Sequence, residues 1–252
     1  MTFDVAAQAY DRYMGAWSSQ LSRQLIEFAR IRSGQRVIDV GCGPGALTAD
    51  LVSLVGPDAV SAVDPSESFV AAARTRQPVV DIRRAVAEAL PFPDGTFDAA
   101  LAQLVVHFMS DPVAGLREMA RVTRAGGVIA ASVWDFGGGR GPLGPFWEAA
   151  REIDPKVVDE SDLAGAREGG LADRFRAAGL VDVEQTTLSA GRTYASFDDW
   201  WQPFTMGVGP GGAYVASLDP DRREALRELC RSRLPAGPIV LTAHAWAARG
   251  VA

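Results

Sequence analysis

The sequence predicts an α/β protein with a largely parallel sheet, and three observations support this. Short apolar runs rich in β-branched residues alternate with stretches of helical periodicity, which is the pattern of repeated β-α-β units. A glycine-rich turn, GCGPGA at 41–46, joins the first predicted strand to the first predicted helix. The length of 252 residues suits one elaborated α/β domain better than two equal domains.

The regular part of this alternation covers residues 36–134. The predicted strands are 36–40, 59–63, 79–84, 97–102 and 128–133. The predicted helices between them are 46–55, 66–76 and 111–124. Asp111 and Pro112 are the residue types of an N-cap and a first helical position, and Gly126-Gly127 is expected to end that helix.

The alternation breaks after Trp134. The run DFGGGRGPLGP at 135–145 is too rich in glycine and proline to predict regular structure. The next predicted elements are a helix near 168–178, strands at 181–188 and 239–246, and a helix at 220–233. An aromatic-rich segment separates the two late strands, so the sequence predicts a β-α-β series closed by two strands and an insertion.

Charge and cysteine content limit the classes of partner. The formal net charge is −6 and no basic stripe is present, so nucleic acid is not expected as a partner. Cys42 and Cys230 are too few for a disulfide framework, which favours a reducing cytoplasm. The first residues lack a basic head before an apolar run, and no apolar run approaches ~20 residues. Neither a signal peptide nor a membrane contact is therefore expected.

The turn GCGPGA leaves the bound nucleotide open. It fits the G-x-G-x-x-G/A fingerprint of dinucleotide binding, and also the G-x-G-x-G loop by which many methyltransferases hold S-adenosylmethionine. The helix that follows offers free backbone N–H groups to a negative group. Asp64 lies 19 residues after Gly45 and could accept the ribose hydroxyls of either nucleotide. A turn that binds nothing is the remaining interpretation.

Residues elsewhere argue against hydride transfer. Asp39 lies inside the first strand, where dinucleotide folds usually have an apolar residue. Its carboxylate could accept from the loop amides or, through water, from a cofactor ammonium group. Lys156 is the only lysine, and Glu152 rather than a tyrosine lies four residues before it. The Gly-Lys of a P-loop and the G-x-S-x-G elbow are both absent. No metal site is expected, since no cluster of ligands has suitable spacing.

Three stretches, VIDVGCGPGALTADL, VDPSESFV and AEALPFPDGTFDAALAQLVVHFMSDP, resemble the class I S-adenosylmethionine-dependent methyltransferases. The similarity is greatest to the small-molecule group that includes the ubiquinone/menaquinone C-methyltransferases. The resemblance implies a Rossmann-like sheet of seven strands, mostly parallel, with helices on both faces and the last strand antiparallel between the fifth and sixth. It also implies one domain over 1–252. Its parts would be a helical lid (1–33), a cofactor-binding core (34–134) and insertions around the acceptor (135–167 and 189–237).

The same resemblance implies a site for S-adenosylmethionine, with S-adenosylhomocysteine as the product. The glycine loop would pass under the methionine part, and Asp64 would hold the ribose. Val86 stands where the family usually has an aspartate that accepts from the adenine amino group. That contact would fall to a backbone carbonyl, Glu88 or water. The residues expected at the cofactor are Asp39, Gly41, Gly43, Gly45, Asp64, Pro65, Val86, Ala87, Glu88, Gln103 and Tyr13.

Methyl transfer requires alignment and exclusion of water more than acid–base chemistry. His107, after the fourth predicted strand, is the candidate general base, with a pKa near ~6.5 before any shift by its surroundings, and a packing role is the alternative. Aromatic residues of the lid and the insertions are expected to form an apolar or aromatic acceptor site, or else part of the core. They are Trp17, Trp134, Trp147, Trp200, Trp201 and Phe204.

The expected function is therefore methyl transfer from S-adenosylmethionine to a small, apolar or aromatic acceptor, by a cytoplasmic monomer or homodimer. Two alternatives from other classes stay open. The same pocket could serve a cyclase, a hydrolase or a cofactor-sensing protein, or the chain could be an NAD-dependent oxidoreductase.

Overall fold

The computed structural model describes residues 14–207 and 209–252, and within them seven strands form one sheet. The strands are β1 (Val37–Val40), β2 (Val60–Asp64), β3 (Asp81–Arg84), β4 (Phe97–Gln103), β5 (Thr123–Trp134), β6 (Val181–Tyr194) and β7 (Ile239–Val251). Their order across the sheet is β3-β2-β1-β4-β5-β7-β6, and β7 runs antiparallel to both of its neighbours. The expected seven-stranded, mostly parallel sheet with an inserted last strand is thus confirmed.

Helices cover both faces of this sheet. In the described part of the chain they are α1 (Ala16–Phe28), α2 (Ala46–Val55), α3 (Glu67–Arg76), α4 (Pro112–Val122), α5 (Gly144–Ile153), α6 (Gly170–Ala177), α7 (Phe197–Trp201), α8 (Gly209–Ser217) and α9 (Pro220–Arg233). The first face carries α1, α2 and the aromatic insertion, and the second face carries α4 and α6. Because helices cover both faces, β1 and β2 are buried along their whole lengths.

The order in which strands are added across the sheet reverses between β1 and β4. From β1 the chain builds outward to β2 and β3, then returns to place β4 on the other side of β1. All three pairings are parallel, so the carboxyl ends of these strands lie at the same edge of the sheet. Ligands of open α/β sheets bind in the crevice at such a switch point.

The boundary between α4 and β5 differs from the expectation. Asp111 does cap α4, accepting from the N–H groups of Val113 and Ala114 at 3.0 Å. The helix ends at Val122, however, because Thr123 already pairs with Phe97 as the first residue of β5. The Gly126-Gly127 pair therefore lies within the strand rather than at the end of the helix.

Two elements extend beyond their sequence patterns. The late strands β6 and β7 continue past 188 and 246, and they pair as far as Tyr194 with Ile239. Residues 189–194, expected in an insertion, therefore belong to the sheet.

Helix α5 lies in a region where only irregular structure was expected. Its Pro145 starts the helix instead of breaking it, and one face buries Phe146 and Trp147.

Helix α1 covers the free edge of β6 through two glutamine side chains. The Gln20 amide donates to the Gly191 carbonyl (2.8 Å) and accepts from its N–H (3.0 Å). Gln24 makes the same pair of bonds with Ser189, at 2.7 and 3.1 Å. The two amides are one helical turn apart and replace the neighbouring strand that the edge lacks.

Replacing both Gln20 and Gln24 with alanine should lower the free energy of unfolding by about 1–2 kcal/mol, since four hydrogen bonds are lost at a partly exposed edge. Edge-to-edge association should increase as well. Chemical denaturation and size-exclusion chromatography measure the two effects. Gln185→Ala, at an exposed position on the same strand, is the matched control. Equal behaviour of the double variant and the control would contradict the role of the two amides.

Candidate functional site

A cavity of about 500 Å³ opens at the carboxyl ends of β1, β2 and β4, at the switch point of the strand order. Most of the residues expected at the cofactor line it: Asp39, Gly41, Gly43, Asp64, Pro65, Val86, Ala87, Glu88 and Gln103. Gly45 lies behind the lining as the N-cap of α2. Tyr13 falls outside the described residues.

The glycine loop has a backbone that other residues adopt only with strain. Gly41, Gly43 and Gly45 have φ angles of 74°, 54° and 99°. A Cβ atom at Gly41 would also lie 2.5 Å from the side chain of Val105. The N–H groups of Gly41 and Cys42 both donate to the Val63 carbonyl, at 2.8 and 2.9 Å. The end of β2 thus holds the start of the loop.

Asp64 holds the rest of the loop. Its Oδ2 accepts from the N–H of Gly43 at 2.9 Å, and its Oδ1 accepts from the N–H of Ser66 at 2.8 Å. Burial raises the pKa of this carboxyl, and the two backbone donors act against that shift. Each oxygen keeps a lone pair for a further donor. The sequence indicated a ribose ligand here but not that the same carboxylate fixes the loop.

Asp39 is buried on β1, the strand next to β2. Its Oδ2 accepts from the Thr48 hydroxyl at 2.6 Å and not from the loop amides, which were one of the two alternatives. Its Oδ1 has no hydrogen-bond partner among the described residues. Burial raises the pKa of Asp39 to about 7, and the nearby Asp64 adds to the shift. A cation or a donor placed in the cavity would therefore favour the ionised form.

The part of the cavity at Val86 has no carboxylate at the position where the family usually has one. Val86 is 48% exposed, and its carbonyl accepts from the N–H of Ala89 at 3.2 Å. Glu88 is tied to the start of α4, since its Oε1 accepts from the N–H of Asp111 at 3.1 Å. One oxygen of the Glu88 carboxylate is therefore already used within the protein, so Glu88 is not equivalent to the missing aspartate.

Gln103 connects the cavity to α1. Its Nε2 donates to the Ser18 carbonyl at 3.0 Å, and its buried Oε1 has no partner in the described part of the chain. Gly15 and Ser18 also line the cavity, so the first turn of α1 forms one of its walls. The contact between α1 and β4 was not evident from the sequence, because it joins residues far apart in the chain.

His107 does not line the cavity. Its ring packs edge-on against Phe108 and Phe136, with centroids 4.0 and 5.8 Å away. Neither ring nitrogen has a hydrogen-bond partner among the described residues, and burial lowers the pKa of His107 to about 3. The surroundings of His107 thus shift its pKa well below the unperturbed value of ~6.5. The role of general base stays a prediction, and the geometry gives it no support.

The six aromatic residues expected at the acceptor are all buried, and none lines the cavity. Trp17 and Trp134 meet edge-to-face at 6.2 Å, and Phe204 stacks on Phe146 at 4.4 Å. The Trp147 indole donates to Glu160 at 2.9 Å. Trp200 and Trp201 pack in the same cluster. The structure thus places these residues in the core beside the site.

Comparisons with known proteins agree with this geometry. A methyltransferase-domain family model matches residues 38–131. A phosphatidylethanolamine N-methyltransferase of Cereibacter sphaeroides is 31% identical over 204 residues, which cover 76% of this chain and 95% of that protein. The chain belongs to the class I S-adenosylmethionine-dependent methyltransferases. This membership does not favour the oxidoreductase and cofactor-sensing alternatives.

A longer relative and a solved structure of similar length also match this chain. A chloroplastic 2-methyl-6-phytyl-1,4-hydroquinone methyltransferase of Oryza sativa subsp. japonica is 34% identical over 68% of this chain, which spans only 46% of that protein. The solved structure of a possible histamine N-methyltransferase of Thermotoga maritima has a TM-score of 0.58 at 22% identity. That match covers 99% of this chain and 97% of the other, and it shows the fold alone.

Residues 14–207 and 209–252 contain no group of three metal-ligating side chains. No helix within these ranges is long and apolar enough to cross a bilayer.

Replacing His107 with leucine should remove part of the pH dependence of stability. The native imidazole has a pKa of about 3, whereas the unfolded one titrates near ~6.5, so the unfolded state binds more protons between these values. Stability therefore rises with pH through this window, and at pH 5 the wild type should lose about 2 kcal/mol relative to pH 7.5 through this group.

The variant should lack that loss, as measured by denaturant titration at both pH values. Phe136→Leu alters the same packing but keeps the imidazole, and it should retain the wild-type difference. An unchanged difference in His107→Leu would show that the ring is protonated in the folded state.

Proposed function

We propose that this protein transfers a methyl group from S-adenosylmethionine to a small acceptor with an apolar or aromatic body. The observation that carries the proposal is the pair of buried, unpartnered acceptor atoms at the cavity, Oδ1 of Asp39 and Oε1 of Gln103. They lie on the same face of the neighbouring strands β1 and β4. Buried acceptors without donors are rare, and the ammonium group of the cofactor would satisfy them.

The other lining residues also fit this cofactor. Both oxygens of Asp64 can accept ribose hydroxyls while they hold the loop. The glycine loop and the N-terminus of α2 present backbone to the cavity with no side chain in the way at Gly43. The cavity also offers apolar surface for the adenine ring, from Pro65, Val86 and Ala87.

When bound, the cofactor supplies a methyl group on a sulfonium, which is already activated for displacement. The chain then has to align the acceptor and exclude water. The Gln103 amide holds the first turn of α1 against the end of β4, which closes one side of the cavity. No residue of the cavity is assigned as a base in this proposal, because His107 is buried outside it.

The acceptor class rests on the apolar end of the cavity. Leu104, Val105, Phe108 and Met109 line it there. The relatives described above are named for a phosphatidylethanolamine and for a hydroquinone, and an apolar body is common to both. We infer a single domain over 1–252, with the cofactor core at 34–134 and insertions that begin at 135 and after Tyr194 and pack in the core beside it.

Calorimetry with S-adenosylhomocysteine tests the proposal, with NAD as the competing ligand. S-adenosylhomocysteine should bind and NAD should not. The affinity should rise with pH through about 7, because the ammonium group requires ionised Asp39, and it should fall about tenfold per unit at lower pH. Asp39→Asn should bind more weakly and lose most of this pH dependence, while exposed Asp58→Ala should match the wild type.

Binding of NAD in preference, or no binding of S-adenosylhomocysteine, would overturn the proposed function. An affinity that does not change with pH would show that Asp39 does not hold the ammonium group, and it would leave the rest of the proposal standing. Formation of S-adenosylhomocysteine from the methyl donor in the presence of hydroxylated aromatic acceptors is the corresponding test of turnover.

The absence of a carboxylate at Val86 predicts tolerance at the adenine amino group. An N6-methylated S-adenosylhomocysteine should bind within about threefold of the parent, since no buried acid is left unpaired by the added methyl group. Val86→Asp should discriminate against the methylated ligand, and Val86→Leu should behave as the wild type does. A hundredfold weaker binding of the methylated ligand to the wild type would mean that another acceptor reads this group.

A further inference from the structure

We propose that Thr48 is a positioning residue for the cofactor: its hydroxyl holds the Asp39 carboxylate in place, so that the second oxygen of that carboxylate can meet the ammonium group. Thr48 does not line the cavity itself, so it would act through Asp39. This inference rests on the proposed function, because it concerns the site for the ammonium group of S-adenosylmethionine. Methyl transfer as proposed does not depend on it.

The bond between Thr48 and Asp39 spans the glycine loop. Asp39 lies on β1 before the loop, and Thr48 is the third residue of α2 after it. The Thr48 hydroxyl donates to Oδ2 of Asp39 at 2.6 Å, and both residues are buried. A hydrogen bond to a carboxylate is stronger than one between neutral groups. This bond therefore closes the loop at its base, while the Asp64 carboxylate and the Val63 carbonyl hold it from β2.

The Thr48 hydroxyl does not bond within its own helix. A serine or threonine hydroxyl in a helix often donates to the carbonyl four residues earlier, as Ser53 of α2 does to Ala49 at 2.9 Å. The carbonyl four residues before Thr48 belongs to Pro44, and it accepts from the Arg76 guanidinium at 2.9 Å instead. The Thr48 hydroxyl thus serves the carboxylate on β1 rather than the backbone of α2.

The bond gives the two oxygens of Asp39 different roles. Oδ2 is taken by Thr48, and Oδ1 has no partner among the described residues. Asp39 lines the cavity, so a donor bound there can meet Oδ1. Because the bond fixes the carboxylate before the ligand arrives, the cost of ordering this side chain does not fall on binding. Thr48 would in this way prepare the ammonium site without touching the ligand.

The same bond favours the ionised form of Asp39. Burial raises the pKa of Asp39 to about 7, and the charge of Asp64 on β2 adds to that shift. The Thr48 hydroxyl opposes the shift, with a smaller contribution from the Thr48 backbone. Cys42 of the loop is a further titratable neighbour, and burial raises the pKa of its thiol, so it stays neutral. Loss of the hydroxyl should therefore raise the pKa of Asp39, and the ammonium site should then form only at higher pH.

The chain contains a matched control at the other edge of the sheet. Thr123 is buried, and its hydroxyl donates to the Met119 carbonyl at 2.8 Å. It is the first residue of β5, so it lies at the end of the strand that is opposite to the cavity. Thr48→Val and Thr123→Val each remove one bonded, buried hydroxyl and keep the shape of the side chain. Thr48→Ser keeps the hydroxyl and tests for rescue.

The experiment is calorimetric binding of S-adenosylhomocysteine at about pH 6 and about pH 8.5. Near pH 6, Thr48→Val should bind about tenfold more weakly than the wild type, because a rise of about one unit in the pKa of Asp39 leaves a tenth as much of it ionised. Near pH 8.5 the difference should shrink to about twofold or less, since Asp39 is then mostly ionised in both proteins. Thr48→Ser should restore the wild-type pH dependence, and Thr123→Val should keep it. Melting temperatures establish that each variant is folded.

Three results would overturn the inference while the proposed function stands. One is a wild-type pH profile in Thr48→Val, and the second is a loss of equal size at both pH values, which indicates a structural role alone. The third is the same pH-dependent loss in Thr123→Val. If Thr48→Val does not fold, Thr48→Ala removes the same hydroxyl and is judged in the same way. Failure of the wild type to bind S-adenosylhomocysteine is a separate result, which refutes the proposed function and this inference with it.

Discussion

The carboxylate of Asp64 is the contact on which the site depends. It accepts from the N–H groups of Gly43 and Ser66, and so joins the end of β2 to the glycine loop on one side and to the start of α3 on the other. The carbonyl of Val63, one residue earlier, takes the first two N–H groups of the loop. The shape of the loop is therefore fixed by the end of the neighbouring strand. Parallel pairing of β1 with β2 is what brings that end into place.

Helix α1 is held by two strands of the same sheet. Gln20 and Gln24 bind the edge strand β6, while Gln103 on β4 binds the carbonyl of Ser18. The first pair of contacts fixes the position of the helix, and the third places its first turn over the cavity. All three contacts use side-chain amides: those of Gln20 and Gln24 donate and accept at once, and that of Gln103 donates. The sheet therefore sets both the floor of the cavity and the position of its cover.

The sequence predicted the parts of the site that follow from local pattern. Asp39, Asp64 and Gln103 come at the ends of buried strands, and parallel strands bring their carboxyl ends to one edge. It did not predict the placement of the aromatic residues, because an aromatic side chain has the same local pattern in a core as in a pocket. The stack of Phe146 on Phe204 joins α5 to a distant 3-10 helix (Gln202–Met206), and such packing is decided only when the whole chain is folded. The bond from Thr48 to Asp39 was missed for a similar reason.

Asp39 and Asp64 share a cavity but differ in what holds their charge. Two backbone N–H groups support the Asp64 carboxylate, so it serves as an anchor of the loop. Asp39 has one hydroxyl partner, and burial raises its pKa to about 7. A cation from outside the chain would therefore favour its ionised form. A ligand that supplies this cation and binds only the folded state stabilises it by RT ln(1 + [L]/Kd), which grows with the logarithm of the affinity. The fold thus supplies a fixed anchor and leaves one acid to be neutralised by what it binds.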